Sequence, residues 1–235
     1  MVKKLAVLDW DGTLRRGFTI KTWIRFLVKE NLFDSEVEIK LLEFFNDYEC
    51  GKLNHDSLAD ATANFYAQSL KDTREDDILL AAYKFLNEDK TLLYPFTIPL
   101  TSFLKDNNID IIVISGAPAE VIRAQQKKLK IDRVFALECE TKNGIYTGSV
   151  RVNTGISSEK SKVISYIKSI QKYNFYLAMG NSNSDIPMLE AAPVNAIVNN
   201  PSLSSFIDCN KRILLLEENS SFSDIINFFG EDKLN

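Results

Sequence analysis

The sequence contains a single histidine, His55, and this scarcity limits the chemistry open to the protein. Ser-His-Asp and Cys-His nucleophile systems depend on a histidine base, so they are disfavoured, and a metal site with several histidines is excluded. His55 itself is predicted to be a surface or capping residue.

Cysteines are also few, and no long apolar run is present. Cys50, Cys139 and Cys209 lie far apart without a C-x-x-C pair, which favours inert thiols in a reducing compartment. The amino-terminal region contains no apolar segment long enough for a signal peptide or a membrane span. These features predict a cytoplasmic protein without a membrane partner.

An excess of positive charge is likewise missing. Lys and Arg number 28 against 32 Asp and Glu, a formal net charge of -4, which argues against nucleic acid as a partner. Any anion site must therefore be local. A chain of 235 residues with 45% hydrophobic composition can bury a core as one large domain or as a domain with an insertion.

Hydrophobic spacing divides the chain into two kinds of structure. The segment from about Thr19 to Lys90 has helical periodicity, broken at Gly51, and predicts about four helices. From Pro95 onward, strands and helices alternate, which is typical of a parallel sheet with crossovers. The predicted strands are 5–8, 109–114, 133–137, 175–179, 196–198 and 212–216, with a hairpin in 138–152 and helices at 98–105, 118–129, 158–170 and from 187.

The first strand ends in Asp9, Trp10, Asp11, Gly12 and Thr13. Two carboxylates at a strand's exit can divide the work on one substrate, one as a nucleophile and the other as a proton carrier. Gly12 forces the turn that ends the strand. Alternatively, the two aspartates only cap a tight turn, in which Asp is common.

Ligands of open parallel sheets lie beyond the carboxyl ends of the strands, where further polar residues occur. Ser115 and Gly116 offer a hydroxyl and an unhindered N–H before a helix that starts at Pro118, which predicts a phosphate site. The alternative is an ordinary N-cap serine.

Lys160 lies in the first turn of a predicted helix, where the helix dipole disfavours a cation. A phosphate oxygen and an aspartate would compensate for this position; the alternative is a solvated lysine beside Lys162. A loop from Asn181 to Asp185 carries oxygen donors that suit Mg²⁺, although such residues also favour plain polar turns.

Four motifs occur in a fixed order along the chain: D-x-D-G-T, S-G-x-P, a helical lysine and G-N-S-x-x-D-x-P-M-L. This order resembles the haloacid dehalogenase superfamily of phosphatases and phosphotransferases. Within the superfamily, the chain is most similar to the IB subclass, the branch that contains phosphoserine phosphatases. This similarity lies in the stretches SGAPAEVI, GIYTG, SDIPMLEAA and VNNPSL. The resemblance implies an α/β fold: a Rossmann-like parallel-sheet core from residues 1–16 and 91–235 with an inserted all-helical C1-type cap at 17–90.

The resemblance also implies residue roles. Asp9 would attack phosphorus, and Asp11 would protonate the leaving alkoxide and later activate water. Ser115 and Lys160 would hold the phosphoryl oxygens. Further phosphate contacts would come from Gly12, Thr13 and Gly116.

Mg²⁺ is the implied cofactor, bound by the Asp9 carboxylate, the Asp11 carbonyl and Asn181, with Asp185 behind them. The chain departs from the family pattern twice. Asn181 stands where the family usually has aspartate, which removes a negative charge. Phe18 stands where phosphoserine phosphatases carry a glutamate that binds the substrate amino acid, so phosphoserine is not the expected substrate.

The sequence thus predicts a Mg²⁺-dependent phosphomonoester hydrolase that acts through a phospho-aspartyl enzyme on a small soluble phosphate ester. Two alternatives stay open, a phosphotransferase with the same intermediate and a weakly active or non-catalytic binding protein. Arg15 and Arg16 are expected either to meet a second anionic group beside the cap or to be solvated. The oligomeric state is not predicted.

Overall fold

A computed structural model describes residues 2–230 of the chain. The described residues form a seven-stranded sheet in the order β4-β3-β2-β1-β5-β6-β7. All neighbouring strands are parallel except β3 and β4, which pair antiparallel. The strands are β1 (Lys3–Leu8), β2 (Asp110–Pro118), β3 (Arg133–Lys142), β4 (Ile145–Val152), β5 (Tyr173–Gly180), β6 (Val194–Val198) and β7 (Arg212–Leu216).

The central position of β1 follows from its apolar sequence. Successive side chains of a strand point to opposite faces, and here both faces are covered. Leu5 and Val7 pack in one buried apolar cluster, whereas Ala6 and Leu8 pack in another on the other face of the sheet. The strand therefore delivers its carboxyl end, and the residue Asp9 after it, to the middle of the sheet's edge.

Helices make up the rest of the fold. Within residues 2–230, five α-helices lie between the first two strands: the inserted helices α1 (Thr19–Lys29), α2 (Ser35–Glu49), α3 (His55–Leu70) and α4 (Glu75–Asp89), and then α5 (Thr97–Asp106). The others are α6 (Ala119–Gln126), α7 (Ser157–Ser169), α8 (Ile186–Leu189) and α9 (Phe222–Gly230). The predicted α/β fold with an inserted helical cap is confirmed.

The inserted helices share one apolar cluster with part of the sheet domain. Trp23, Tyr66 and Phe85 are fully or almost fully buried in this cluster, which also includes Val121 of α6 and Leu137 of β3. The proposed boundaries of the cap, residues 17 and 90, stay a prediction; residues 1 and 231–235 of the predicted core lie outside the described residues.

Several element bounds differ from the sequence prediction. Helix α6 ends at Gln126 rather than at residue 129, because the chain turns there and Lys130 adopts a φ of 53°. Helix α9 was not predicted. The hairpin between β3 and β4 is confirmed: Asn143 and Gly144 have φ values of 54° and 74°, as a two-residue type I′ turn requires.

Within residues 2–230, the helices are all too short or too polar to cross a lipid bilayer.

Candidate active site

The loop after β1 is a tight turn that places two carboxylates at the edge of the sheet. The Trp10 carbonyl accepts hydrogen bonds from the backbone N–H groups of Thr13, Leu14 and Arg15 at 3.2, 2.9 and 3.0 Å. Gly12 has a φ of 74°, and a Cβ atom at this position would lie 2.2 Å from Asn181 Nδ2. The backbone conformation favours glycine, and a larger residue here would displace the Asn181 side chain.

Lys160 lies in the first turn of α7 and is buried between two carboxylates. Its Nζ donates to Asp9 Oδ1 at 2.9 Å and to Asp185 Oδ1 at 2.5 Å. These partners explain how a cation is stable at a helix amino terminus, where the dipole opposes it. The structure therefore brings together three of the predicted residues, and Lys162 instead points to solvent with Glu159 as its partner.

The three charged groups alter one another's pKa values. Burial, followed by the charge of Asp185, raises the pKa of Asp9 to about 7 despite the neighbouring Lys160. Burial opposes the charged form of Asp185 as well, but the charge and hydrogen bond of Lys160, together with the N–H groups of Asn181 and Ser182, outweigh it and lower the pKa of that carboxyl. Burial alone would lower the pKa of Lys160, whereas Asp185 and Asp9 together raise it. The lysine therefore remains a cation at neutral pH.

Asp185 is held on both sides by donors. Its Oδ1 accepts from Lys160, and its Oδ2 accepts from the N–H groups of Asn181 and Ser182, both at 2.9 Å. The Ser182 hydroxyl adds a third bond to Oδ2 at 3.0 Å. With both oxygens bonded to protein donors, Asp185 is arranged to fix Lys160 and the Asn181 loop from behind.

Asp11 contacts the amino terminus of the first inserted helix. The Thr19 N–H lies 2.9 Å from both Asp11 oxygens, and the Thr19 hydroxyl also donates to Oδ1. Trp10 Nε1 in turn donates to the Thr19 hydroxyl at 3.0 Å. Burial raises the pKa of Asp11 to about 6, against the opposing charge of Arg15. This carboxyl therefore exchanges a proton close to neutral pH.

Ser115 and Gly116 lie where β2 reaches the same edge of the sheet. Ser115 is buried, its Oγ accepts from the Ala117 N–H at 3.2 Å, and its carbonyl accepts from the Thr154 hydroxyl. A Cβ atom on Gly116 would lie 2.6 Å from Gly155 Cα, so glycine is required there for space.

Asn181 and Asp9 present oxygen atoms to one shared hydroxyl. Thr13 Oγ1 lies 3.2 Å from Asp9 Oδ2 and 3.2 Å from Asn181 Oδ1, although it has only one proton to donate. Among the described residues no cluster of three His, Cys, Asp or Glu side chains is suited to a metal. The donor set here combines carboxylate and amide oxygens, which are the hard ligands that fit Mg²⁺.

A cavity of about 330 Å³ opens from these residues towards the inserted helices. Of the predicted residues, Asp9, Asp11, Ser115, Gly116, Lys160 and Asn181 line it. Gly12, Thr13 and Asp185 contact members of that group from behind, as described above. The inserted helices and the segment before them contribute Phe18, Ile20, Phe45, Tyr48, His55, Leu58, Ala59 and Thr62.

His55 corrects the expectation of a surface or capping role. Asn54 is the N-cap of α3, since its Oδ1 accepts from the Ser57 N–H at 2.8 Å, and His55 is the first helical residue. The His55 side chain is half-buried and lines the cavity. The residues next to His55 in the sequence indicate only a helix start. That His55 lines the cavity depends on how α3 packs over the sheet.

Arg15 and Arg16 also differ from the expectation. Arg15 is fully buried and its Nε donates to Asp89 Oδ1 at 2.6 Å, whereas Arg16 pairs with Glu218. Neither residue lines the cavity. Both are bonded to carboxylates of the protein; Arg15 is shielded from solvent, whereas Arg16 keeps 30% of its side chain exposed beside Glu218.

Comparison with models of protein families identifies the family of this chain. Residues 6–190 match the model of the haloacid dehalogenase-like hydrolases, and the chain belongs to that family. The predicted family and the prediction that the chain is an enzyme are confirmed.

Individual relatives and structures agree with the assignment. The chain is 24% identical over 212 residues to a histidinol-phosphatase of Neisseria meningitidis serogroup C (strain 8013), covering 84% of this chain and 91% of that protein. A solved phospho-aspartyl intermediate analogue of phosphoserine phosphatase matches with a TM-score of 0.67 and 22% identity, covering 97% of this chain and 99% of that one. A protein of unknown function from Bordetella pertussis Tohama I matches with a TM-score of 0.74 and 16% identity, covering 91% and 99%. These likenesses show a shared fold.

Proposed function

We propose that this protein is a Mg²⁺-dependent phosphomonoester hydrolase in which Asp9 forms a phospho-aspartyl intermediate. The observation that carries the proposal is the buried Lys160, bonded to Asp9 at 2.9 Å and to Asp185 at 2.5 Å beside a cavity. A buried cation next to a carboxylate nucleophile can stabilise the charge that develops on a transferring phosphoryl group.

In the first step, an Asp9 carboxylate oxygen attacks phosphorus and the bond between phosphorus and the ester oxygen breaks. Asp11 gives its proton to the departing alkoxide, which leaves as an alcohol. In the second step, Asp11 takes a proton from water, the water oxygen attacks phosphorus, and the bond to Asp9 breaks to release phosphate. The pKa of Asp11, raised to about 6, supports both directions of proton transfer.

Phosphate binding is assigned to Lys160, to the Ser115 hydroxyl and to backbone N–H groups of the two glycine-containing turns. The relevant turn residues are Gly12, Thr13 and Gly116. Mg²⁺ bound by the Asp9 carboxylate, the Asp11 carbonyl and Asn181 would favour the ionised form of Asp9 and offset negative charge on the phosphoryl oxygens. Asp185 positions Lys160 and the Asn181 loop.

The proposed substrate is a small soluble phosphate ester other than phosphoserine. The similar proteins named above include a phosphoserine phosphatase and a histidinol-phosphatase, and both substrates carry an ammonium group. In this chain Phe18 lines the cavity, and a phenyl ring cannot form the ion pair and hydrogen bonds that a carboxylate offers to the ammonium group of an amino acid. We propose that residues 17–90 act as a cap that selects the alcohol part of the ester.

The test is a panel of phosphorylated metabolites with and without Mg²⁺, assayed for phosphate release by the wild type and by Asp9→Asn. The wild type should hydrolyse at least one ester and yield a phospho-enzyme that can be trapped with acid, whereas Asp9→Asn should do neither, because the attacking oxygen is gone. Asp76→Asn is the matched control, since Asp76 is an exposed aspartate on α4 and should retain activity.

Two outcomes would contradict the proposal. If Asp9→Asn keeps near wild-type turnover, Asp9 is not the nucleophile. If no ester is hydrolysed under any condition, the non-catalytic binding function becomes the better description. Adding an acceptor alcohol and analysing the products separates hydrolysis from phosphotransfer.

A further inference from the structure

The cavity beyond the phosphate site has two chemically different ends. Its charged lining residues in the described part of the chain are Asp9, Asp11 and Lys160, all at the carboxyl edge of the sheet. The opposite end, contributed by the inserted helices, is lined by carbon-rich side chains together with His55 and Thr62. None of the described residues that line this end offers a charged partner to the alcohol part of a substrate.

An aromatic ring at the apolar end of the cavity is partly exposed. Phe18 packs on Phe45 with ring centroids 5.0 Å apart and an angle of 54° between the rings. Phe45 is 2% exposed, and Lys21 Nζ lies 4.4 Å from its ring centroid. Phe18 nevertheless keeps 36% of its surface exposed and lines the cavity. Burying this remaining surface requires a further apolar group in the cavity.

His55 adds a polar but uncharged wall. Burial, followed by the nearby charge of Lys160, lowers the pKa of His55 and so favours the neutral form of the imidazole. Its Nδ1 is buried without a hydrogen-bond partner, 3.7 Å from the nearest Asp56 oxygen. A neutral imidazole does not attract a charged substrate group, but it tolerates a flat ring beside it.

We propose that the cavity selects phosphate monoesters whose alcohol part is a flat, uncharged ring, and that Phe18 is the specificity-determining residue that contacts this ring. This inference rests on the proposed phosphatase function, because the phosphate must occupy the Lys160 end. The cavity of about 330 Å³ is large enough for a single ring with a short linker.

The test compares 2-phenylethyl phosphate with ethyl phosphate, phosphoethanolamine, phosphoserine and histidinol phosphate. Burying a phenyl group typically corresponds to about 10- to 100-fold in binding. We therefore expect kcat/KM for 2-phenylethyl phosphate to exceed that for ethyl phosphate by about 10-fold or more. Histidinol phosphate should rank below it, because no carboxylate within residues 2–230 lines the apolar end to pair with its ammonium group. Phosphoserine and phosphoethanolamine should rank lowest.

Phe18→Ala should reduce the ratio of the 2-phenylethyl to the ethyl value, chiefly through KM. Tyr83→Ala is the matched control: Tyr83 is an aromatic residue of α4 that is 61% exposed and does not line the cavity, so its loss should leave the ratio unchanged. Equal values for the two esters, preference for an ammonium-bearing ester, or an unchanged ratio in Phe18→Ala would each overturn the inference.

A binding measurement separates this inference from the function on which it rests. Calorimetry with Asp9→Asn should show tighter binding of 2-phenylethyl phosphonate than of ethyl phosphonate, and neither compound requires turnover. If this preference holds while no ester is hydrolysed, the hydrolase function fails and the ring selectivity stands. If esters are hydrolysed but the phosphonates bind equally, only the ring selectivity fails.

Discussion

Replacing Asp89 with alanine should destabilise the fold far more than replacing its neighbour Glu88. Arg15 and Asp89 are both completely buried, and their Nε–Oδ1 distance is 2.6 Å. The second Asp89 oxygen accepts from Gln125 Nε2 at 3.0 Å. This cluster joins the loop after β1 to the end of α4 and to α6, so it ties the inserted helices to the core.

The magnitude follows from the burial of the guanidinium. Besides Asp89, Arg15 donates to the Arg16 carbonyl at 2.9 Å and to the Thr22 hydroxyl at 2.5 Å, and both of these partners are neutral. Removing the Asp89 carboxylate therefore leaves the buried cation without its hydrogen-bonded counterion, and the remaining carboxylate, Asp11, lies 4.0 Å away. Breaking a buried ion pair in this way costs about 3–5 kcal/mol. Replacing both partners together, Arg15→Met with Asp89→Leu, should recover most of that loss, because no unpaired charge remains.

Urea unfolding followed by circular dichroism measures the free energy of unfolding of each variant. Glu88→Ala is the matched control: its carboxylate pairs with Lys29 on the surface, where the two side chains are 49% and 64% exposed. Solvent and salt weaken such a pair, so its loss should change stability little. If Asp89→Ala costs no more than Glu88→Ala, or if the double variant is less stable than Asp89→Ala alone, the reasoning is refuted.

Three further predictions concern the site and the interior. Asp11→Asn should lower turnover by about 10²–10⁴-fold in steady-state assays through loss of acid-base catalysis, and near wild-type turnover would contradict that role. Asn181→Asp should lower the Mg²⁺ concentration needed for half-maximal activity, because a carboxylate binds the cation more strongly than an amide; an unchanged requirement means that Asn181 is not a ligand. Glu120 is buried, its Oε1 accepts from the Tyr146 hydroxyl at 2.8 Å, and burial raises its pKa above the usual 4.5. The folded state therefore holds this proton more tightly than the unfolded state, and stability should fall by up to about 1.4 kcal/mol per pH unit between the two pKa values as pH rises. Urea unfolding at several pH values across that range should show that the free energy of unfolding falls less steeply with pH in Glu120→Gln than in the wild type. An equal slope in both proteins would mean that Glu120 is not the source of the pH dependence.

Local sequence was sufficient for the features that neighbouring residues control. The apolar run before Asp9 predicts a buried strand, and Asn143-Gly144 predicts a two-residue turn, because strand burial and turn type depend on a few adjacent side chains. The order of the motifs was enough to indicate the family, which the comparison confirms. Helix ends were less predictable, as α6 shows, because a turn at 127–130 ends it without a proline or glycine.

Tertiary structure decided which of these residues meet. Lys160 is 151 residues from Asp9 and 25 from Asp185 along the chain, and only the strand order brings all three within hydrogen-bond distance. The burial of Arg15 follows from the position of Asp89, which lies 74 residues away. His55 and Phe18 carry no local signal of a binding role, and they line the cavity because the inserted helices pack over the carboxyl edge of the sheet. A sequence pattern reports backbone preference and the side of an element that is buried, whereas the partners of a side chain depend on packing between elements that are distant in the chain.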